Sequence, residues 1–226
     1  FNAWVGPLIQ GYINRLQSGI THEFDESRLA IMQSSGETMA AALAANQAVR
    51  MLLSGPAGGL VGAQFVAAQS GLDKLMTFDM GGTSSDVALI DGKVQLTNRG
   101  KIGQYPVAVP MVDMHTIGAG GGSIARLDEG GMLQVGPESA GASPGPACYN
   151  QGGTEATVTD ANLVLGRIPS DSKLGGYLPL SVEKARQTVK KLADKMHLSI
   201  EETARGILKV ANEHMARALQ VISVQK

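Results

Sequence analysis

The stretch FDMGGTSSDVALIDG, residues 78–92, most constrains what this chain can fold into. An apolar run ends in an acid, Asp79. Two glycines follow, Gly81 and Gly82, then the hydroxyl residues Thr83, Ser84 and Ser85, then a second acid, Asp86, and a second apolar run. The pattern predicts a strand over 74–79, a glycine turn, and a strand over 85–90. Asp91-Gly92 is a strong hairpin signal, and KVQLT at 93–97 alternates as a third strand. Adjacent glycines leave a turn whose amides carry no Cβ beside them, so an anion can approach the backbone. Thr83, Ser84 and Ser85 would add hydroxyl donors. Asp79 stands where it could hold a hydrated Mg²⁺ beside a phosphate, because Mg²⁺ keeps several waters and takes one or two carboxylates. Asp86 would support the turn. The competing reading is an ordinary hairpin with a polar tip; the complete strand–turn–strand context favours phosphate. No GKS or GKT follows, so this is not a Walker loop.

Around this hairpin the apolar spacing predicts a helix over 1–20, ending near Gly19, and a short strand over 28–34 with a turn at Ser34-Ser35-Gly36. Residues 38–50 read as a short helix or an ordered connection. Residues 50–54 read as a strand closed by Gly55-Pro56, and 58–70 as a packed helix. From 100 to 168 the chain is irregular, with strands expected at 106–109, 124–127 and 132–135. A helix near 159–165 is expected to start at Thr159 or Asp160. The C-terminal part is helical. Ser181 caps 182–196, and Ser199 caps 200–222 with Glu202 at capping-box spacing. The 29 glycines concentrate in SGPAGG, DMGGT, IGAGGGS and NQGG. That grouping implies tight loops beside a ligand or another backbone.

The net charge of −1 and the scarcity of Trp, Tyr and Phe argue against nucleic acid. One cysteine, Cys148, excludes an intrachain disulfide and favours a reducing compartment. No 18-residue apolar run and no signal-peptide pattern occur, so neither a membrane partner nor export is expected, and the expected location is cytoplasmic. Phe1 in place of an initiator Met, and Lys226 directly after a helical pattern, give the expectation of a piece of a longer polypeptide.

A second group of polar residues lies outside the hairpin. Asp113 and His115 are two apart in MVDMHTIGAGGGSIA and would share a face if that segment were extended. With Cys148 and Asp160 they form a candidate Zn²⁺ set. The spacing matches no recognised zinc pattern, and a buried structural cysteine and a loop-bonded histidine are the alternatives. Glu138 and Ser139 could contact substrate or shape a Gly/Pro-rich turn.

Five blocks in order, LSGPAGG (53–59), FDMGGTSSDVALI (78–90), MHTIGAGGGSIA (114–125), VGPESAGASPGPACY (135–149) and TVTDANLVLGRI (157–168), resemble the hydantoinase A/5-oxoprolinase family. The hairpin resembles the phosphate motif of the actin/Hsp70/sugar-kinase superfamily. The resemblance implies an α/β fold of the ribonuclease-H-like actin/Hsp70 type, an incomplete copy with a helical appendage. It divides the chain into a central α/β domain over 1–180 and a helical segment of the same domain over 181–226. It also implies ATP and Mg²⁺, with Asp79, Gly81, Gly82, Thr83 and Ser84 at the phosphates. The family's earlier DxGGT hairpin and its later glycine-rich adenosine segment do not occur here, so this would be the second phosphate motif. The implied function is ATP-dependent hydrolysis of a cyclic amide through a phosphorylated oxygen. The implied partners are the remaining domains and a hydantoinase B-type subunit or domain. A ketone carboxylase subunit and a non-catalytic nucleotide-binding module are the alternatives. The chain alone is expected to be inactive, because it supplies one phosphate hairpin of two.

Overall fold

Apolar spacing and capping chemistry set the elements of this computed structural model, which describes residues 2–24, 27–102 and 105–224. The chain divides into two compact units, Phe1–Thr77 with Ala88–Met114, and Phe78–Val87 with His115–Lys226.

In the first unit, helix α1 (Asn2–Glu23) continues past Gly19; the first residue of the expected helix lies outside the described residues. Its buried Ile13 packs on Met39, Ala41, Ala44 and Ala45. Strands β1 (Ala30–Met32) and β2 (Thr38–Ala40) pair antiparallel across the turn at 34–36, and α2 (Ala41–Asn46) follows. The strand expected at 50–54 does not form. Ala48–Met51 is a 3₁₀ turn, and Leu53 sits at φ 58°, a left-handed conformation foreign to strands. Helix α3 (Ser54–Gln69) starts directly after it. Pro56 falls in its first turn, where the missing N–H has no helical partner to lose.

Strands β3 (Lys74–Met80) and β4 (Ser85–Asp91) make the predicted hairpin. Strand β3 passes into the second unit after Thr77, and β4 returns at Ala88. Gly92, at φ 70°, closes the next turn, and β5 (Lys93–Val94) pairs with β4. The single strand expected over 93–97 is split at Gln95. Beyond it, β6 (Leu96–Thr97) changes partner; β7 (Gly100–Ile102) and β8 (Tyr105–Val107) pair with each other, and β9 (Met111–Val112) pairs with β6. Ala57 and Leu60 of α3 pack on Ala88, Ile90 and Val112.

In the second unit, β10 (His115–Ile117) pairs with β4, placing Thr116 opposite Asp86. Strands β11 (Ser123–Leu127) and β12 (Leu133–Ser139) form a bulged antiparallel ribbon. Helix α4 (Val158–Val164) is capped by Thr157, two residues before the earlier of the two expected starts; Asp160 completes a capping box instead of starting the helix. After the short hairpin β13 (Lys173–Leu174) and β14 (Leu178–Pro179) come α5 (Val182–Met196) and α6 (Ile200–Val224), with the expected caps Ser181 and Ser199.

Ala204, Ile207, Leu208, Ala211 and Met215 recur at helical spacing along α6 and join Val189 and Leu192 of α5 against Ala125, Val135, Val158 and Ala161. Further along, Ala218 and Ile222 cover Val87 of the hairpin. Helices α5 and α6 thus share one core with β11, β12 and α4. Among the described residues no helix is long and apolar enough to cross a membrane.

Asp160 ties this unit together. It is fully buried. Its carboxylate accepts from Thr157 N and Oγ1 at 3.0 and 2.8 Å, and from the Ala147 and Cys148 amides at 3.2 and 2.8 Å. Removing it would strand buried donors at once. Asp160→Ala is expected to destabilise the fold by about 3–5 kcal/mol, because each orphaned buried donor carries its full desolvation cost. Urea unfolding of the variant measures this, and a loss within experimental error would contradict the buried-anchor assignment.

Candidate functional site

The tip of the β3–β4 hairpin is a turn of Gly82 and Thr83 between Gly81 and Ser84. The Gly81 N–H donates to the Ser84 carbonyl at 2.8 Å. The return bond, from Ser84 N–H to Gly81 O, is absent. That carbonyl instead accepts from Gly121 N–H at 3.0 Å, and the Gly82 carbonyl accepts from Gly122 N–H at 2.6 Å. Among the described residues, the amides of Gly82, Thr83 and Ser84 have no protein acceptor. Gly82 and Thr83 are exposed, and a Cβ placed on Gly82 would meet nothing within 4 Å. Consecutive unpaired N–H groups on an open turn form a concavity of positive potential that suits an anion.

The predicted site residues divide by their partners. Asp79, Gly81, Gly82, Thr83 and Ser84 lie together on this tip, with Asp79 exposed at the end of β3. Among the described residues, the Asp79 carboxylate and the Thr83 and Ser84 hydroxyls have no protein partner, so they remain available to a ligand. Ser85 is different. It is buried, and its hydroxyl donates to the Ala119 carbonyl at 2.6 Å. It is therefore a strut of the turn and not the ligand donor expected from its position. Asp86 accepts from Thr116 Oγ1 at 2.5 Å across the β4–β10 pair.

The run Gly120, Gly121 and Gly122 approaches the hairpin itself. A Cβ on Gly120 would stand 2.7 Å from Gly81 O and 2.9 Å from Ser84 N. On Gly121 it would stand 2.8 Å from Thr159 Oγ1, and on Gly122 2.8 Å from Gly82 O. These are closer than carbon can come to those atoms. The next layer repeats the device. Ala140 N–H donates to Gly122 O at 2.9 Å, and a Cβ on Gly118 would press on Pro137. Thr159 joins the glycine loop to α4, since both its N–H and its hydroxyl donate to Gly121 O at 2.8 Å. This contact was not legible in the sequence; Thr159 read there only as a helix cap.

The proposed Zn²⁺ set does not assemble. Among the described residues, no group of three or more His, Cys, Asp or Glu side chains is placed to hold a metal ion. Asp113 follows β9, whose partner is β6, whereas His115 opens β10, whose partner is β4. Asp113 thus lies outside any strand, in the break between β9 and β10, and the two residues do not share one continuous strand. Asp160 spends its carboxylate on the four protein donors described above. Cys148 is fully buried among Leu163, Leu180 and Ala185. Burial first, then the charge of Asp160 and a hydrogen bond to it, push its thiol well above the ordinary cysteine range. Glu138 pairs with Arg126 on the β11–β12 ribbon, and Ser139 Oγ accepts from Gly141 N–H at 3.1 Å.

Comparison with known proteins places this geometry in context. The sequence model described as Hydantoinase/oxoprolinase matches residues 1–226. The caprolactamase subunit alpha of Pseudomonas jessenii is 38% identical over the whole chain, which covers 33% of that subunit. The 5-oxoprolinase of Saccharomyces cerevisiae is 35% identical over the whole chain, which covers 18% of that enzyme. A nucleotide-free acetone carboxylase, from work on ATP-dependent acetone carboxylation, superposes with a TM-score of 0.83 at 29% identity, over 93% of this chain and 30% of that one. The chain thus spans a third or less of the length of these relatives.

Cys148 gives a direct check on the metal-free reading of its surroundings. In the folded protein at pH 8 its alkylation by iodoacetamide is expected to run at least about 100-fold slower than that of an exposed thiol, because the thiolate is the reactive form and it is suppressed here. Unfolding in guanidinium should restore ordinary reactivity. Rapid alkylation of the folded chain, or stoichiometric zinc by elemental analysis, would overturn the assignment.

Proposed function

The chain belongs to the hydantoinase/oxoprolinase family, and from that premise we propose that it is the central, phosphate-binding part of an ATP-dependent hydrolase of cyclic amides. Its fold is α/β, an incomplete copy of the actin/Hsp70-type ATPase arrangement shared with the acetone carboxylase and caprolactamase chains. The observation that carries the proposal is the set of unpaired amides at Gly82, Thr83 and Ser84 beside the free carboxylate of Asp79. In this reading the amides and the Thr83 and Ser84 hydroxyls receive phosphate oxygens. Asp79 would hold Mg²⁺; one carboxylate with room for water suits that ion, which when bound would neutralise charge on the transferring phosphoryl group.

An amide carbon is a poor electrophile. Transfer of the γ-phosphoryl group to the amide oxygen, with release of ADP, would create a phosphate leaving group. Water could then add at that carbon; breaking of the C–N bond, with a proton delivered to the departing nitrogen, would open the ring to an acyl phosphate, and a second water would hydrolyse it to a carboxylate and inorganic phosphate. The chain's task in this scheme is orientation and charge stabilisation, which dominate phosphoryl transfer. The substrate site, the adenosine site and a hydantoinase B-type partner would lie on other parts of the complete protein, and a cytoplasmic setting fits its ATP chemistry. A ketone carboxylase subunit is the second reading, favoured by the high structural similarity to acetone carboxylase. Turnover of 5-oxoproline, caprolactam or a hydantoin, against carboxylation of a ketone, separates the two.

The complete polypeptide carrying Asp79→Asn is expected to lose about 100-fold or more in ATP-dependent turnover, as removal of a charge-stabilising group does. Gly82→Ala should weaken ATP binding by about 10-fold or more, since the added methyl group occupies the open side of the turn. Both variants should melt within about 2 °C of the parent, because surface substitutions without lost contacts cost little. Near-parental turnover of Asp79→Asn at saturating Mg²⁺ would exclude this assignment of the site.

A further inference from the structure

We propose that Gly120, Gly121, Gly122 and Thr159 form a positioning clamp that holds the phosphate turn open by occupying its carbonyls. The proposal rests on the reading of residues 79–84 as the phosphate site.

A two-residue hairpin turn ordinarily closes with two bonds between its flanking residues. Here the bond from Ser84 N–H to Gly81 O would consume one of the three amides the site offers. That bond is not made: Gly121 donates to Gly81 O and Gly122 to Gly82 O, drawing the turn's carbonyls toward the loop, and Gly120 packs against both Gly81 O and Ser84 N. The glycine loop has no spare amides at its centre for a ligand of its own. Gly120 N–H donates to Ser123 Oγ at 2.9 Å, while the Gly121 and Gly122 amides are spent on the turn. Its contribution is thus indirect: it sets where the turn's amides stand.

The clamp has a fixed back. Gly121 O accepts two bonds from Thr159, and Thr159 lies beside Asp160, whose carboxylate is locked by four donors. Displacing the loop would mean displacing the start of α4. The absence of side chains in the loop follows from this double contact, with the turn on one side and Thr159 on the other.

The geometry yields a steric pair that separates positioning from general stability. A Cβ on Gly121 meets only Thr159 Oγ1 closely, at 2.8 Å; the next atom is Gly81 O at 3.9 Å. Deleting that hydroxyl with Thr159→Ala makes room for the methyl group. A Cβ on Gly120 instead meets turn backbone, which no side-chain change can relieve.

The test is the dissociation constant for ATP with Mg²⁺, by calorimetry on the complete polypeptide, with the melting temperature of each variant. Gly121→Ala is expected to weaken ATP binding about 30-fold, Thr159→Ala about 3-fold, and the double variant by no more than about 5-fold; residues in contact are expected to show such non-additivity. Gly120→Ala should weaken ATP binding by about 100-fold with no rescue by Thr159→Ala, the expected consequence of misplacing preorganised donors. If Gly120→Ala fails to fold, the Gly121/Thr159 pair still decides. Additive losses in that pair, or unchanged ATP affinity in Gly121→Ala while Gly82→Ala abolishes binding, would overturn the clamp and leave the phosphate site standing. Unchanged ATP affinity in Gly82→Ala, Asp79→Asn and Gly121→Ala together would overturn the phosphate site and the clamp with it.

Discussion

Two backbone hydrogen bonds, Gly121 N–H to Gly81 O and Gly122 N–H to Gly82 O, organise the tip of the β3–β4 hairpin. They are short-range contacts between two loops, and they are possible only because neither loop carries a Cβ at the crossing. The hairpin tip is thereby held with its carbonyls turned inward and three amides left outward. A phosphate-binding turn needs this division, since an amide already paired within the protein has little to offer an anion.

The support for those two bonds extends through the second unit. Thr159 holds the glycine loop, Thr157 and Asp160 cap α4, and Asp160 gathers the amides of Ala147 and Cys148. Beneath the hairpin, Val87 rests on Ala218 and Ile222 of α6. The long C-terminal helices therefore set the position of the turn as well as closing a core. Cys148 belongs to this supporting layer. Its buried, un-ionised thiol packs as a small apolar group, while its backbone N–H does the polar work at Asp160.

This construction explains how a chain with so few charged groups at its site could serve phosphoryl transfer. Positioned backbone dipoles need no side-chain entropy to be spent when the ligand arrives, and they cannot titrate. Asp79, whose carboxylate has no protein partner among the described residues, then supplies the metal-directed charge in the proposed reading. In the proposed reading, this part of the polypeptide offers one face of a phosphate site, and it spans a third or less of its relatives.

By itself the sequence determined the elements whose signals are local. The FDMGGTSSD hairpin, the Asp91-Gly92 turn, and the Ser181 and Ser199 caps all stand where their residue types placed them, because each depends on contacts within a few positions. It also carried the family resemblance, through five ordered blocks. Tertiary structure decided everything that depended on which backbone meets which. Only the fold could show that the glycine run 120–122 serves the hairpin, and that Ser85 is spent on Ala119. It likewise decided that Asp160 is an anchor, and that the strand carrying His115 begins only after Asp113. A glycine in sequence announces that something must come close; what comes close is chosen by partners dozens of residues away, and no local pattern encodes them.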